Sequence, residues 1–252
     1  MHRRMGIVLA ALGCVAMPMA AQTTPAPAAP QLVNVARVQV KPDRVAEWLE
    51  LEKLYTAAFK KGGGTFRYVY RNNAGNPFEY MVVTGGGKYA DLDGESFYAK
   101  GTTEAELARM QMRRNQCVDA VRTTWERTIP ELAIAGPDNS IPKLLRMTRM
   151  TVRPDMADQF IALMKDEYVP MLKKGGVTRL LFRRVEWGGS RNQFTMSGRF
   201  EKFEELDAGS VSLKVLGKEG SAKLLSKVRQ MTGSSEYLLY TYLPEQSYRA
   251  SQ

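Results

Sequence analysis

This sequence predicts an α+β fold in which two β-α-β-β-α-β repeats close on one another as a single barrel. Three observations carry the expectation. Short segments recur in the same order at an offset of about 112 residues. Within each copy, valine-rich alternation gives way to helical spacing and back. The first strand of each copy is apolar on both faces, so each face needs a covering layer.

The recurrence is specific. Arg37-Val38-Gln39-Val40-Lys41-Pro42-Asp43 returns as Arg149-Met150-Thr151-Val152-Arg153-Pro154-Asp155. Lys60-Lys61-Gly62-Gly63 returns as Lys173-Lys174-Gly175-Gly176, and Arg67–Arg71 as Arg179–Arg183. Lys88-Tyr89-Ala90-Asp91-Leu92-Asp93 returns as Lys202-Phe203-Glu204-Glu205-Leu206-Asp207. A period this long means two domains or a paired barrel rather than a solenoid. The expected division is 31–137 and 141–246, with 247–252 as a tail.

In the first copy, Val33–Val40 alternates as a strand. Pro42 suits a first helical position, and the helix runs to about Lys61 before Gly62. Its buried side takes in Val45, Trp48, Leu49, Glu52 and Phe59. Arg67–Arg71 and Phe78–Thr84 form a hairpin around Asn72–Asn76, and a short helix follows near Lys88–Asp93. Thr103 and Glu106 make a capping box that opens a helix to about Thr124. Leu107, Met110, Cys117, Val118, Val121 and Trp125 stand at helical spacing, and Glu131–Ala135 reads as the last strand. The second copy gives strand 144–152, helix 155–174 kinked by Pro170, and strands 179–186 and 193–200. A short helix 202–207, helix 220–231 and strand 235–243 complete it. Two four-stranded sheets face to face with helices outside satisfy the doubly apolar first strands.

Residues 1–21 have the layout of a cleaved secretory signal. Arg3 and Arg4 precede an apolar run from Gly6 to Met17, Pro18 breaks it, and Ala20-Ala21 offers a cleavage site. The run is too short to span a bilayer, so no integral membrane segment is expected after cleavage and the location is periplasmic or secreted. Lipidation at Cys14 is the lesser alternative. Residues 22–30 form a Pro/Ala linker. Composition is that of a folded chain, 44% hydrophobic and 25% charged, with a net charge of +10 that falls to +8 without Arg3 and Arg4. The single histidine is His2, and Cys14 is one of two cysteines. A mature chain without histidine and with Cys117 alone excludes His-based triads, zinc held by Cys and His, and an internal disulfide. No metal site is expected.

The architecture resembles the dimeric α+β barrel superfamily, two ferredoxin-like repeats in a pseudo-dimeric barrel. That superfamily includes antibiotic-biosynthesis-type monooxygenases and NIPSNAP-like proteins. Residues 167–177, the turn at Trp187-Gly188-Gly189 and Phe203–Asp207 are most similar to exported bacterial members. The resemblance implies a small hydrophobic cavity between sheet and helices or inside the barrel. Haem-binding members generally use a histidine, and no cofactor is expected here.

Candidate ligand-binding residues follow from these placements. Arg37 and Arg149 occupy equivalent strand positions on the face assigned to the interior, where two guanidiniums can hold an anion bidentately or pair with local carboxylates. Tyr68, Tyr70 and Tyr80 give the first hairpin a hydroxyl-bearing aromatic set, where the second copy has Leu180, Phe182 and Phe194. Glu52 lies near the apolar helix face, as a base of raised pKa or as a solvated edge residue. Cys117 reads as buried packing.

Exposed lysine and arginine doublets read as solvated ends, and no nucleic-acid signature is present. The expected partners are a small-molecule ligand and, left open, a second copy in a homodimer. Three functions stand: an exported barrel binding a small apolar or anionic ligand, a cofactor-independent monooxygenase or isomerase, and an interaction protein with a filled core.

Overall fold

The computed structural model describes residues 30–136 and 141–250. The expected export signal 1–21, with His2 and Cys14, and most of the linker lie outside the described residues. Strand β1 (Leu32–Val40) leads through a 3₁₀ turn at Pro42–Arg44 into helix α1 (Val45–Lys61). Strands β2 (Phe66–Asn72) and β3 (Glu79–Gly87) form the hairpin. Helices α2 (Phe97–Gly101) and α3 (Glu104–Cys117) and strand β4 (Val118–Thr128) complete the first half.

The second half runs β5 (Leu144–Val152), α4 (Ala157–Leu163), α5 (Val169–Lys174), β6 (Leu180–Trp187) and β7 (Gln193–Phe200). Helix α6 (Val211–Met231) and strand β8 (Thr232–Tyr242) follow. A two-residue strand, β9 (Tyr248–Arg249), then adds to β2, so these two residues of the expected tail belong to the sheet.

The strands are ordered β2-β3-β1-β4 in the first half and β6-β7-β5-β8 in the second. The halves do not stack as two separate sheets. β4 pairs with β6 and β8 pairs with β2, so eight antiparallel strands close into a ring. Closure removes the unpaired edges that a sandwich would leave. An eight-stranded ring has an interior that side chains can fill.

Both faces of the sheet are buried, as the doubly apolar first strands require. Val33, Val35, Met81, Val83, Leu145, Met147 and Leu238 pack inside the barrel. Val38, Val40, Val69 and Val82 pack outward beneath Trp48 and Leu51 of α1. A third apolar cluster lies between the second-half sheet and its helices, around Phe160, Phe182 and Phe194.

Several elements differ from the sequence expectation. Helix α3 ends at Cys117 and the chain continues as β4, where helix was expected to Thr124. Residues Cys117, Val121 and Trp125 are four apart, and that spacing keeps one face in a strand as well as in a helix. β-branched Val118, Val121, Thr123 and Thr124 favour the strand. Consequently the segment expected as the last strand, Glu131–Ala135, is a 3₁₀ turn with a single bridge at Ile134.

In the second half, a π turn at Met164–Tyr168 separates α4 from α5 just ahead of Pro170. The wider turn accommodates a residue that cannot donate to the helical ladder. Helix α6 begins at Val211, nine residues before the expected start, and passes through Gly217 at φ 68° and ψ −178°. Among the described residues, no helix is long and apolar enough to cross a membrane.

Candidate functional site

Strand alternation and helix packing create two polar sites, one outside the barrel wall and one inside it. The outer site is a cavity of about 450 Å³ between the first-half sheet and helices α1, α2 and α3. Val82, Phe59, Phe97, Leu107 and Trp125 give it apolar walls. Close helix packing shapes it. A Cβ on Gly62 would lie 1.9 Å from the Phe97 carbonyl oxygen, and one on Gly101 would lie 1.8 Å from that of Ala58. Only glycine lets α1 and α2 approach this closely. The approach sets Phe97 and Tyr98 over the cavity, with Tyr98 5.4 Å from the Phe59 ring.

Glu52, Tyr55, Arg67 and Tyr98 form the polar end. Glu52 is 1% exposed and is ion-paired with Arg67, itself 3% exposed. The Arg67 guanidinium is fully engaged. It donates to Glu52, to Tyr98 Oη at 3.1 Å, to Thr56 Oγ1 at 2.8 Å and to the Gln246 carbonyl at 3.2 Å. Thr56 Oγ1 donates in turn to that carbonyl at 2.6 Å. Burial, the largest single influence, would lower the Arg67 pKa, but the Glu52 charge, Tyr98 and the hydrogen bonds to both together raise it. Glu52 is therefore a paired, buried carboxylate rather than a solvated edge residue.

Three residues on along the same helix face, the Tyr55 hydroxyl is buried without a hydrogen-bond partner. Burial pushes its pKa up to about 12, so it remains a proton donor at neutral pH. Arg67, Tyr55 and Tyr98 were not singled out from sequence. A signal for Arg67 existed: by alternation it shares a face with Val69, which packs under α1, and a charge there needs a partner.

Inside the barrel, Arg37 and Arg149 lie where alternation placed them, on the face of Val35 and Met147. Burial and then the Arg149 charge lower the Arg37 pKa. Arg149 Nη1 pairs with Glu236 at 2.9 Å, and Arg183 Nε with Glu126 at 3.3 Å. Tyr68 and Tyr70 also face inward, near Tyr242 at 6.1 and 5.6 Å. Tyr80 does not join them. It faces outward, against Trp48 at 4.3 Å beneath α1.

The hairpin correspondence between halves also shifts. Tyr70 pairs with Met81, which pairs with Arg37; Arg183 pairs with Thr195, which pairs with Arg149. Arg183, not Phe182, therefore stands where Tyr70 does. A one-residue slip exchanges the faces of a strand. The second half replaces that interior hydroxyl with a guanidinium rather than with an apolar ring.

Cys117 is buried, as expected of a packing residue. Among the described residues, no group of three His, Cys, Asp or Glu side chains is placed to hold a metal ion.

No protein-family model matches the chain, and no curated protein sequence does. Solved structures do match its fold. An anthrone oxidase-like protein superposes with a TM-score of 0.62 at 11% identity, over 84% of this chain and 91% of its own. A protein of Fusobacterium nucleatum subsp. nucleatum, provisionally assigned as a monooxygenase, gives 0.59 at 11% identity over 88% and 98%. Chlorite dismutase from Candidatus Nitrospira defluvii gives 0.53 at 12% identity over 85% and 92%. At such identities the shared property is the α+β barrel fold, and the chain spans nearly the full length of each of these structures.

Proposed function

We propose that this chain binds a small aromatic molecule carrying a hydroxyl group in the cavity between its first-half sheet and helices. The observation that carries this reading is the pairing of an apolar-walled cavity of about 450 Å³ with a polar end of opposite hydrogen-bonding character. Glu52, ion-paired with Arg67, offers carboxylate oxygens that accept; Tyr55 has a free donor. A phenolic hydroxyl answers both, donating to Glu52 and accepting from Tyr55, while its ring fills the apolar volume.

Titration with 1-naphthol and with naphthalene, followed by tryptophan fluorescence, tests the reading. The naphthol should bind at least about tenfold tighter, the worth of one charge-assisted hydrogen bond, and Tyr55→Phe should remove part of the difference. Equal affinity for the two would leave the polar end without a role.

A second reading is an oxygenase acting on such a ligand without a bound cofactor. The fold shared with the anthrone oxidase-like protein favours it. Molecular oxygen would be the oxidant: at a methylene carbon such as that of anthrone, one oxygen atom replaces the two hydrogens as a carbonyl and the other leaves with them as water. Glu52 would have to take the first proton while ion-paired with Arg67. Oxygen uptake with anthrone as substrate, lost in Glu52→Gln, would favour this reading.

We also read residues 1–21 as an export signal, supported by the Arg pair, apolar run and small-residue end. Protein recovered from its host should then begin at Gln22. The repeated segments and repeated strand order support an origin by tandem duplication, one chain standing in for a two-subunit barrel.

A further inference from the structure

We propose that the barrel interior is a second binding site, in which Arg37 and Arg149 grip a small oxyanion from opposite walls. The topology brings them together. β1 and β5 are four strands apart in a closed ring of eight, so they lie on opposite walls. Neighbours in the ring are antiparallel, so strands four apart run in the same direction. Arg37 and Arg149 hold matching ladder positions on these strands, opposite Met81 and Thr195. Both side chains therefore reach inward at the same end of the barrel. The Arg149 charge acts on Arg37 across this interior.

The interior carboxylates leave this pair incompletely matched. Glu126 pairs with Arg183 at 3.3 Å and accepts from Thr124 at 3.0 Å. Glu79 accepts from Tyr240 at 2.9 Å and from Asn72 at 3.4 Å. Glu236 reaches Arg149 through Nη1 but is 54% exposed. The Arg37 side chain makes no hydrogen bond and no ion pair among the described residues, although Glu126, Glu79 and Tyr240 influence its charge. The Nε atoms of both Arg37 and Arg149 are buried without a hydrogen-bond partner. Two like charges facing one interior, each with a buried, unused donor, offer a fork for an anion bearing two or more oxygens. Phosphate, sulfate and a carboxylate share that chemistry. Both arginines retain some exposure, which leaves a route in from that end of the barrel.

Thermal unfolding of the full chain in phosphate, sulfate, acetate and sodium chloride at matched ionic strength tests the site. An oxyanion should raise the melting temperature in step with the logarithm of its concentration, by about 5 °C at a hundredfold excess over its dissociation constant. Phosphate against acetate separates an inorganic oxyanion from a carboxylate. Arg37→Met should abolish the rise. If that variant does not fold, Arg37→Lys keeps the charge without the fork and should weaken the response at least about tenfold in concentration. An equal rise in chloride, no rise in any oxyanion, or an undiminished rise in the Arg37 variant would overturn the proposal. 1-Naphthol binding should persist in that variant, so failure of this site and failure of the outer cavity are read separately.

Discussion

Arg67 has the most demanding position of any side chain in the outer site, because its charge and that of Glu52 are both withdrawn from water. Removing one partner strands the other. Arg67→Met should therefore cost about 3–5 kcal/mol in urea unfolding, and Glu52→Leu combined with Arg67→Met should recover most of it. Alkaline stability reports on Tyr55. Its folded pKa of about 12 exceeds the ordinary value of 10.0, so above pH 10 the unfolded chain gives up this proton while the folded chain keeps it. The folded state then binds more protons, and stability falls as pH rises from about 10 to 12. Melting temperatures across that range should decline less steeply in Tyr55→Phe. At this scale the sequence was partly legible. Glu52 could be placed near a buried helix face, and Arg37 on an inward strand face, from periodicity alone. The partner of Glu52 could not be named, because Arg67 comes from a strand whose approach to α1 depends on tertiary packing.

Among the elements, those with one clear period were readable: β1, α1 and the β2–β3 hairpin stand within three residues of expectation. β4 was not, because its inward face carries Arg122, Thr124 and Glu126 while its outward face carries Val121 and Trp125. A barrel with a polar interior removes the apolar-in signal that marks a strand. Helix α2 left no signal either, being five residues long. It is nevertheless the element on which the outer cavity depends most. Gly101→Val would place a branched side chain against the Ala58 carbonyl, and α2 would have to move off α1. The affinity for 1-naphthol should fall at least about tenfold, while far-ultraviolet circular dichroism keeps its helical signal. Unchanged affinity would show that Phe97 and Tyr98 contribute nothing to the cavity.

For the whole molecule, the interior charges decide which half pairs with which. The first half contributes Arg37, Arg122, Glu79 and Glu126 to the barrel interior, and the second contributes Arg149, Arg183, Arg199 and Glu236. The first set is neutral and the second net positive. The contacts that join them cross the division: Arg183 of the second half pairs with Glu126 of the first, and Tyr240 of the second donates to Glu79 of the first. Two copies of the second half would instead crowd six arginines into one interior against two glutamates, with the desolvation of each charge unrelieved. Residues 30–136 and 141–250, produced as separate chains and mixed, should therefore assemble one to one in preference to self-pairing. Light scattering coupled to size exclusion can measure this. Glu126→Arg in the first chain removes the crossing ion pair and adds a like charge beside Arg183, so mixed assembly should then be lost. A Glu126→Arg chain that still assembled one to one would show that strand pairing alone, through β4–β6 and β8–β2, selects the partner.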